Sequence, residues 1–275
     1  MLNQRDNWQR AFEKQMGIAE RRNIPKVKKF YKTEYRKGVD SFLSMNQTNF
    51  DILFNVTTLS KLYRDLYQDI GMQFAKWYAR HFDKYISKGV NPKQYESFWM
   101  ERFAYFGSVI AAQRVTLVSN TAKQTLITLT QRLMSDPEFM MMGVAQQARI
   151  LNSRFGQYSL MQAIRLIRTE GTNIANYATM QSAQSIFPAS QLKKEWIASF
   201  DDRTRDAHAQ ADGQIVMQSD PFLVGGEQLL YPGDPAGSSE NVINCRCSVA
   251  PFPVEDAVTD ASIENIGFGL SGQLI

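Results

Sequence analysis

Long apolar runs are missing from this sequence of 275 residues. None approaches the roughly 18 uncharged residues that a membrane span requires, and the N-terminus is polar where a secretory leader would be apolar. The expectation is a soluble protein made and kept inside a cell, with no membrane among its partners. Cysteine is scarce: Cys245 and Cys247 are the only two, too few for a disulfide framework and too close in sequence to bridge each other without strain. Reduced thiols are expected. Histidine also occurs only twice, at His81 and His208. No repeat period is visible, which excludes a solenoid.

What the sequence does hold is enough apolar material for real cores, with 44% hydrophobic and 12% aromatic residues. Its net charge of +4 hides a polarity. Residues 1–37 carry eleven Lys/Arg against four Asp/Glu, whereas residues 188–275 carry five against thirteen. The two ends therefore suit different partners, the basic one phosphate or an acidic protein surface. Arg21, Arg22, Lys26, Lys28, Lys29 and Lys32 are its candidate contact residues, interleaved with aromatics as in non-specific nucleic-acid binders. A solvated helix surface is the plainer alternative, and no sequence-reading motif accompanies them.

Helical spacing dominates the first half. Leu2 to Arg22 places Trp8, Phe12, Met16 and Ala19 on one stripe, and Pro25 is expected to end that helix. Lys26 to Leu43 and Phe50 to Lys88 read as further helices. Asn91-Pro92 and Asp136-Pro137 are start signals, the second ahead of a helix from Phe139 to Leu151. Gln157 to Phe187 is the most regular helix, with Leu160, Ile164, Ile167, Ile174, Ala175 and Ala178 as its buried face. Arg168 and Glu170 within it diverge around the axis and should reach different partners. His81, among aromatics, reads as a packed or surface residue.

Residues 196–253 are of another kind. They hold both cysteines, His208 and five of the nine prolines. Glu195 to Phe200 suits a strand, stopped by Asp201-Asp202, which would cap a short helix ending at Gly213. On that helix Arg205, His208 and Asp212 would share a face. Gln214 to Met217 and Gln228 to Tyr231 read as strands around a Gly225-Gly226 turn, and Asn241 to Ala250 as the last strand, with both cysteines on one side. The fold class expected is α+β: a mostly helical N-terminal domain (1–153) with its basic segment, a small α+β domain with short strands (154–253), and an acidic, Gly-containing tail (254–275).

Arg168-Thr169-Glu170, Trp196, Asp201-Asp202-Arg203-Thr204-Arg205 with His208, Asp212-Gly213, Pro221-Phe222, Pro232-Gly233-Asp234 and Asn244-Cys245-Arg246-Cys247 follow one another in order. Together these blocks, over about residues 155–253, resemble the phage Mu F-like head morphogenesis family. That resemblance implies a structural minor head protein, located in the virion head at the portal vertex and in the host cytoplasm during assembly. It implies the portal protein as partner, with packaged double-stranded DNA and scaffold or major capsid protein as further candidates, in procapsid assembly, genome packaging or delivery.

Three chemistries compete with a purely structural reading of these blocks. His208, Cys245 and Cys247 are zinc-type ligands, with Asp202, Asp212 or Asp234 as a fourth. No other cofactor is expected. Cys245 as nucleophile, with His208 as base oriented by Asp212, would make a hydrolase or transferase. The family's likeness in fold to ADP-ribosyltransferases raises transfer of ADP-ribose, although Arg168-Thr169-Glu170 inside a helix is a poor setting for a catalytic acid. The structural reading makes Asp201, Asp202, Arg203, Arg205 and His208 polar pins for irregular loops. No enzyme activity is expected. A non-specific DNA-binding protein, resting on the basic segment, is the remaining alternative.

Overall fold

The computed structural model describes residues 4–45, 53–83, 91–199 and 201–254. The chain is α+β. The elements are α1 (Gln4–Met45), α2 (Val56–Asp83), α3 (Glu96–Met134), α4 (Pro137–Met141), α5 (Val144–Ile186), β1 (Leu192–Ile197), α6 (Asp206–Ala211), β2 (Ile215–Met217), β3 (Phe222–Val224), β4 (Glu227–Leu229), α7 (Ser239–Val242) and β5 (Ser248–Pro253). None of the described helices is long and apolar enough to cross a membrane. The tail from residue 255 lies outside the described residues.

Two compact units share the chain, one drawn from Met1–Glu20, Leu66–Ala104 and Arg168–Ile275, the other from Arg21–Asp65 and Tyr105–Ile167. A cut at residue 153 falls inside α5, so the units do not follow a simple division into N- and C-terminal halves. The first unit contains every strand of the described residues. β1 is the middle strand of a three-stranded antiparallel sheet ordered β2-β1-β5, with Trp196 opposite Val249 and Glu195 opposite Ala250 and Ile215. Both faces of the sheet are covered. On one, Trp196 and Val249 join Met180, Phe222, Leu229 and Tyr231 in a core cluster. On the other, Ile197 and Ala250 pack with Trp8, Tyr78 and Ala183. The separate β3–β4 hairpin turns through Gly225 and Gly226, whose φ values of 58° and 82° are the left-handed pair that a two-residue hairpin turn requires.

In the second unit, α1 buries Asn23, Val27, Tyr31, Tyr35 and Val39, a row at four-residue spacing. Tyr31 and Tyr35 stack around Phe54, and Tyr35 also meets Phe155. Glu34, buried in the same unit, accepts the Phe54 N–H at 2.6 Å and pairs with Lys37.

Several local readings are corrected. Pro25 does not end a helix; it lies inside α1. A proline there costs roughly 3 kcal/mol, while each fully buried large side chain of the row returns about 1.5–3 kcal/mol, so packing overrides the break. Asp136-Pro137 does start a helix, with Asp136 accepting the Glu138 N–H at 2.9 Å, but only the five residues of α4 follow it. The long helix then begins at Val144 rather than at Gln157, and Leu160 on it is exposed. Asn91 caps a short 3-10 turn ahead of α3, as its position before Pro92 suggested.

Candidate functional site

His208, Cys245 and Cys247 meet inside the first unit. All three are buried, and their potential ligand atoms lie within 4.8 Å of one another. His208 Nδ1 is 3.4 Å from Cys247 Sγ and 3.7 Å from Cys245 Sγ. The His208 ring stands edge-on to Trp196, with centroids 5.6 Å apart. Its Nε2 has no hydrogen-bond partner among the described residues. Both cysteines are free thiols. Their shared hydrogen bond draws the Cys245 thiol below its ordinary value, helped by the charges of Arg205 and Arg246 against the effect of burial. The same bond, with burial, holds the Cys247 thiol well above its own.

The elements that deliver these side chains differ from those expected. Asp201-Asp202 do not cap the helix; α6 starts five residues later with Arg205 as its N-cap. Asp201 instead closes a tight turn, its Oδ1 accepting the Arg203 N–H at 3.0 Å, and pairs with Arg246 at 2.7 Å. Asp202 and Arg203 are exposed. Arg205, His208 and Asp212 do not act from one face: Arg205 donates to the Ile243 carbonyl, His208 enters the core, and Asp212 is the C-cap. Gly213 follows with φ 77°.

The cysteines are not on a strand. α7 interrupts the expected run, and β5 begins only at Ser248. Between them Asn244 adopts a left-handed backbone, φ 55°, a conformation asparagine tolerates better than most residues. Both cysteines nevertheless face His208, while Arg246 turns away to Asp201.

The loop is clamped by a polar face of α5 that helical periodicity does not reveal. Thr169 Oγ1 accepts the Asn244 N–H at 3.1 Å, and Thr172 Oγ1 donates to the Cys245 carbonyl. Asn176 Nδ2 donates to the carbonyls of Pro232 (2.9 Å) and Cys247 (3.1 Å), and its Oδ1 accepts the Val249 N–H at 2.8 Å. Tyr231 and Tyr67 hydroxyls bind Asn173. Gly233, φ 83°, sits so close to this helix that a Cβ there would lie 3.0 Å from the Asn173 nitrogen. Thr172, Asn173 and Asn176 are thus site residues the sequence reading missed, and Thr169, named there only within the Arg168-Thr169-Glu170 block, joins them. Their signal was polar residues spaced three and four apart on an otherwise apolar helix.

Arg5 and Gln9 were missed as well. Arg5 pairs with Glu195 at 2.8 Å and with Asp212, whose Oδ1 also accepts the Ala198 N–H. Burial works against the Arg5 charge, but Asp212 and Glu195 more than offset it and raise its pKa. Gln9 donates to the Arg246 carbonyl and accepts from Ser248 Oγ. Asp234 accepts the N–H groups of Leu230 and Ala236. Arg168 reaches toward Glu20, and Glu170, buried, accepts from Tyr67, so the two do turn to different partners. In the second unit, Arg21, Arg22, Lys26, Lys28, Lys29 and Lys32 are all exposed on α1. His81 packs edge-on against Trp8 in the first unit.

The model of the family described as phage Mu protein F-like protein matches residues 86–250. The chain belongs to that family. That family groups this chain with phage head morphogenesis proteins. The match starts well before residue 155, so α3 and α4 belong to the family's domain, which the order of motifs alone did not show. Among curated proteins, the NAD(+)–arginine ADP-ribosyltransferase EFV of Enterococcus faecalis is 31% identical to this Mu F-like chain over 105 residues. That segment is 38% of this chain and 21% of the relative, so the chain spans about a fifth of that protein's length. No solved structure matches.

Proposed function

We propose that this Mu F-like chain is a structural minor head protein that associates with the portal vertex and acts in head assembly and genome packaging or delivery. The observation that carries the reading is the family match across residues 86–250, which takes in the clamped loop and its helical support. The charge distribution supports a role beside DNA or an acidic portal surface. Arg21, Arg22, Lys26, Lys28, Lys29 and Lys32 are exposed and fall within an arc of about 160° over three turns of helix, opposite the buried Asn23, Val27 and Tyr31.

Two experiments test this. Co-expression with the portal protein of the same phage should yield a complex that survives gradient sedimentation, and disruption of the gene should leave heads that fail to package or deliver DNA. Normal, infectious particles without the chain would refute the assignment. For the basic stripe, affinity for double-stranded DNA should fall steeply with salt, and a Lys26→Glu, Lys28→Glu, Lys29→Glu variant should lower the salt slope by about 3. An unchanged slope would assign the stripe to a protein partner or to solvent.

A second reading, transfer of ADP-ribose, takes its support from the name of the curated relative. Glu170 weighs against it, because this buried carboxylate is already held by Tyr67. Hydrolysis of NAD by the purified chain, or transfer of its ADP-ribose to an acceptor with release of nicotinamide, would reinstate it.

A further inference from the structure

We propose that His208, Cys245 and Cys247 bind a thiophilic divalent cation, zinc in the first instance. The geometry fits the ion. With zinc–sulfur bonds of about 2.3 Å, zinc–nitrogen bonds of about 2.0–2.1 Å and tetrahedral angles, sulfur and nitrogen ligands stand about 3.6 Å apart. The two Sγ–Nδ1 separations are 3.4 and 3.7 Å.

Hydrogen bonding joins the three only as a chain, from Cys245 to Cys247 to His208, and leaves the 3.7 Å approach of Cys245 to Nδ1 without a role. A neutral imidazole nitrogen has one lone pair or one proton, so Nδ1 can satisfy one sulfur and not two. A cation at the common focus engages all three donors at once. It also removes the difficulty of burial: one dication, two thiolates and a neutral imidazole sum to zero charge, which an apolar surround of Trp196, Phe222 and Met180 accommodates. Binding exchanges the two thiol protons for the metal.

The donors are positioned by fixed elements rather than by a loose loop. The Cys245 and Cys247 carbonyls are held by Thr172 and Asn176 of α5, and the turn before them by Arg205. Such supporting contacts orient metal ligands in established sites. The candidates for a fourth donor are committed elsewhere: Asp212 to Arg5 and Ala198, Asp234 to Leu230 and Ala236, while Asp202 is exposed. Among the described residues the chain thus supplies three donors, and the fourth position falls to water or an added ligand.

The test uses the full chain, purified reduced and folded. Plasma mass spectrometry should find about one zinc per chain, lost in Cys245→Ser and in Cys247→Ser. Because either variant can fail to fold, the wild-type protein is also stripped with chelator and titrated with Co(II). Thiolate-to-cobalt charge-transfer and tetrahedral d–d bands should appear, saturate at one equivalent and bleach on adding zinc. Zinc retained by folded Cys245→Ser would overturn the proposal, as would folded wild-type protein with neither metal nor cobalt spectrum.

Discussion

Arg5 lies between two acids, Glu195 and Asp212, and its removal would take a close cation from the more buried of them. Glu195 is fully buried on β1, with Arg5 Nε, a cation, at 2.8 Å. A buried ion pair adds little net stability over apolar packing, but breaking one by deleting a single partner is expensive. Arg5→Ala should therefore destabilise the chain by about 3–5 kcal/mol, read as a lower midpoint in denaturant. A midpoint within error of wild type would show that other contacts of Glu195 compensate for the lost cation. Asn176 shows the same economy without charge: one side chain answers three backbone groups of the loop and strand around Cys247.

At the scale of elements, α1 and α5 show how packing and polar contacts revise local preference. Pro25 sits in the interior of α1 on its exposed side. Since a proline within a helix costs roughly 3 kcal/mol relative to alanine, Pro25→Ala should stabilise the protein by about 1–3 kcal/mol. A melting temperature that stays level or falls would show that the proline itself is needed for packing. α5 is apolar in its buried Ile167, Ile174, Ala175 and Ala178, as its spacing indicates, yet its polar Thr169, Thr172 and Asn176 are equally enclosed. A helix buried on several sides loses the amphipathic contrast that periodicity detects, so the clamp was not legible as a clamp. The loop it holds was misread as strand for a related reason: alternation at Cys245 and Cys247 is shared by extended backbone of any kind, and only partners distinguish a strand from a loop.

For the whole molecule, the stability profile against pH should carry the mark of one buried lysine. Lys194 is fully buried, with Nζ 2.7 Å from the Leu230 carbonyl and 5.1 Å above the Phe222 ring. Burial pulls its pKa down to about 8, against the opposing charges of Asp234 and Asp220. An unfolded lysine titrates near 10.4, so between roughly pH 8 and 10 the folded chain binds fewer protons than the unfolded one. Stability from this group therefore rises with pH across that window, and the full cost of the buried charge is present below it. The melting temperature of wild type should rise relative to that of Lys194→Met from pH 7.5 to 9.5. A constant difference would remove Lys194 as the cause.

Composition, turn residues and the order of motifs by themselves determined the α+β class, the change in character toward the C-terminal third, the caps at Asn91 and Asp136, and the family. These rest on short-range chemistry: side-chain period, proline and asparagine backbone preference, and the identity of residues in sequence blocks. Only the tertiary structure decided that α1 runs through Pro25, that Arg5 and Gln9 serve strands more than 180 residues away, and that three donors from α6 and the loop between α7 and β5 converge within 4.8 Å. Burial and long-range hydrogen bonds are properties of which segments meet, and no local pattern encodes that meeting.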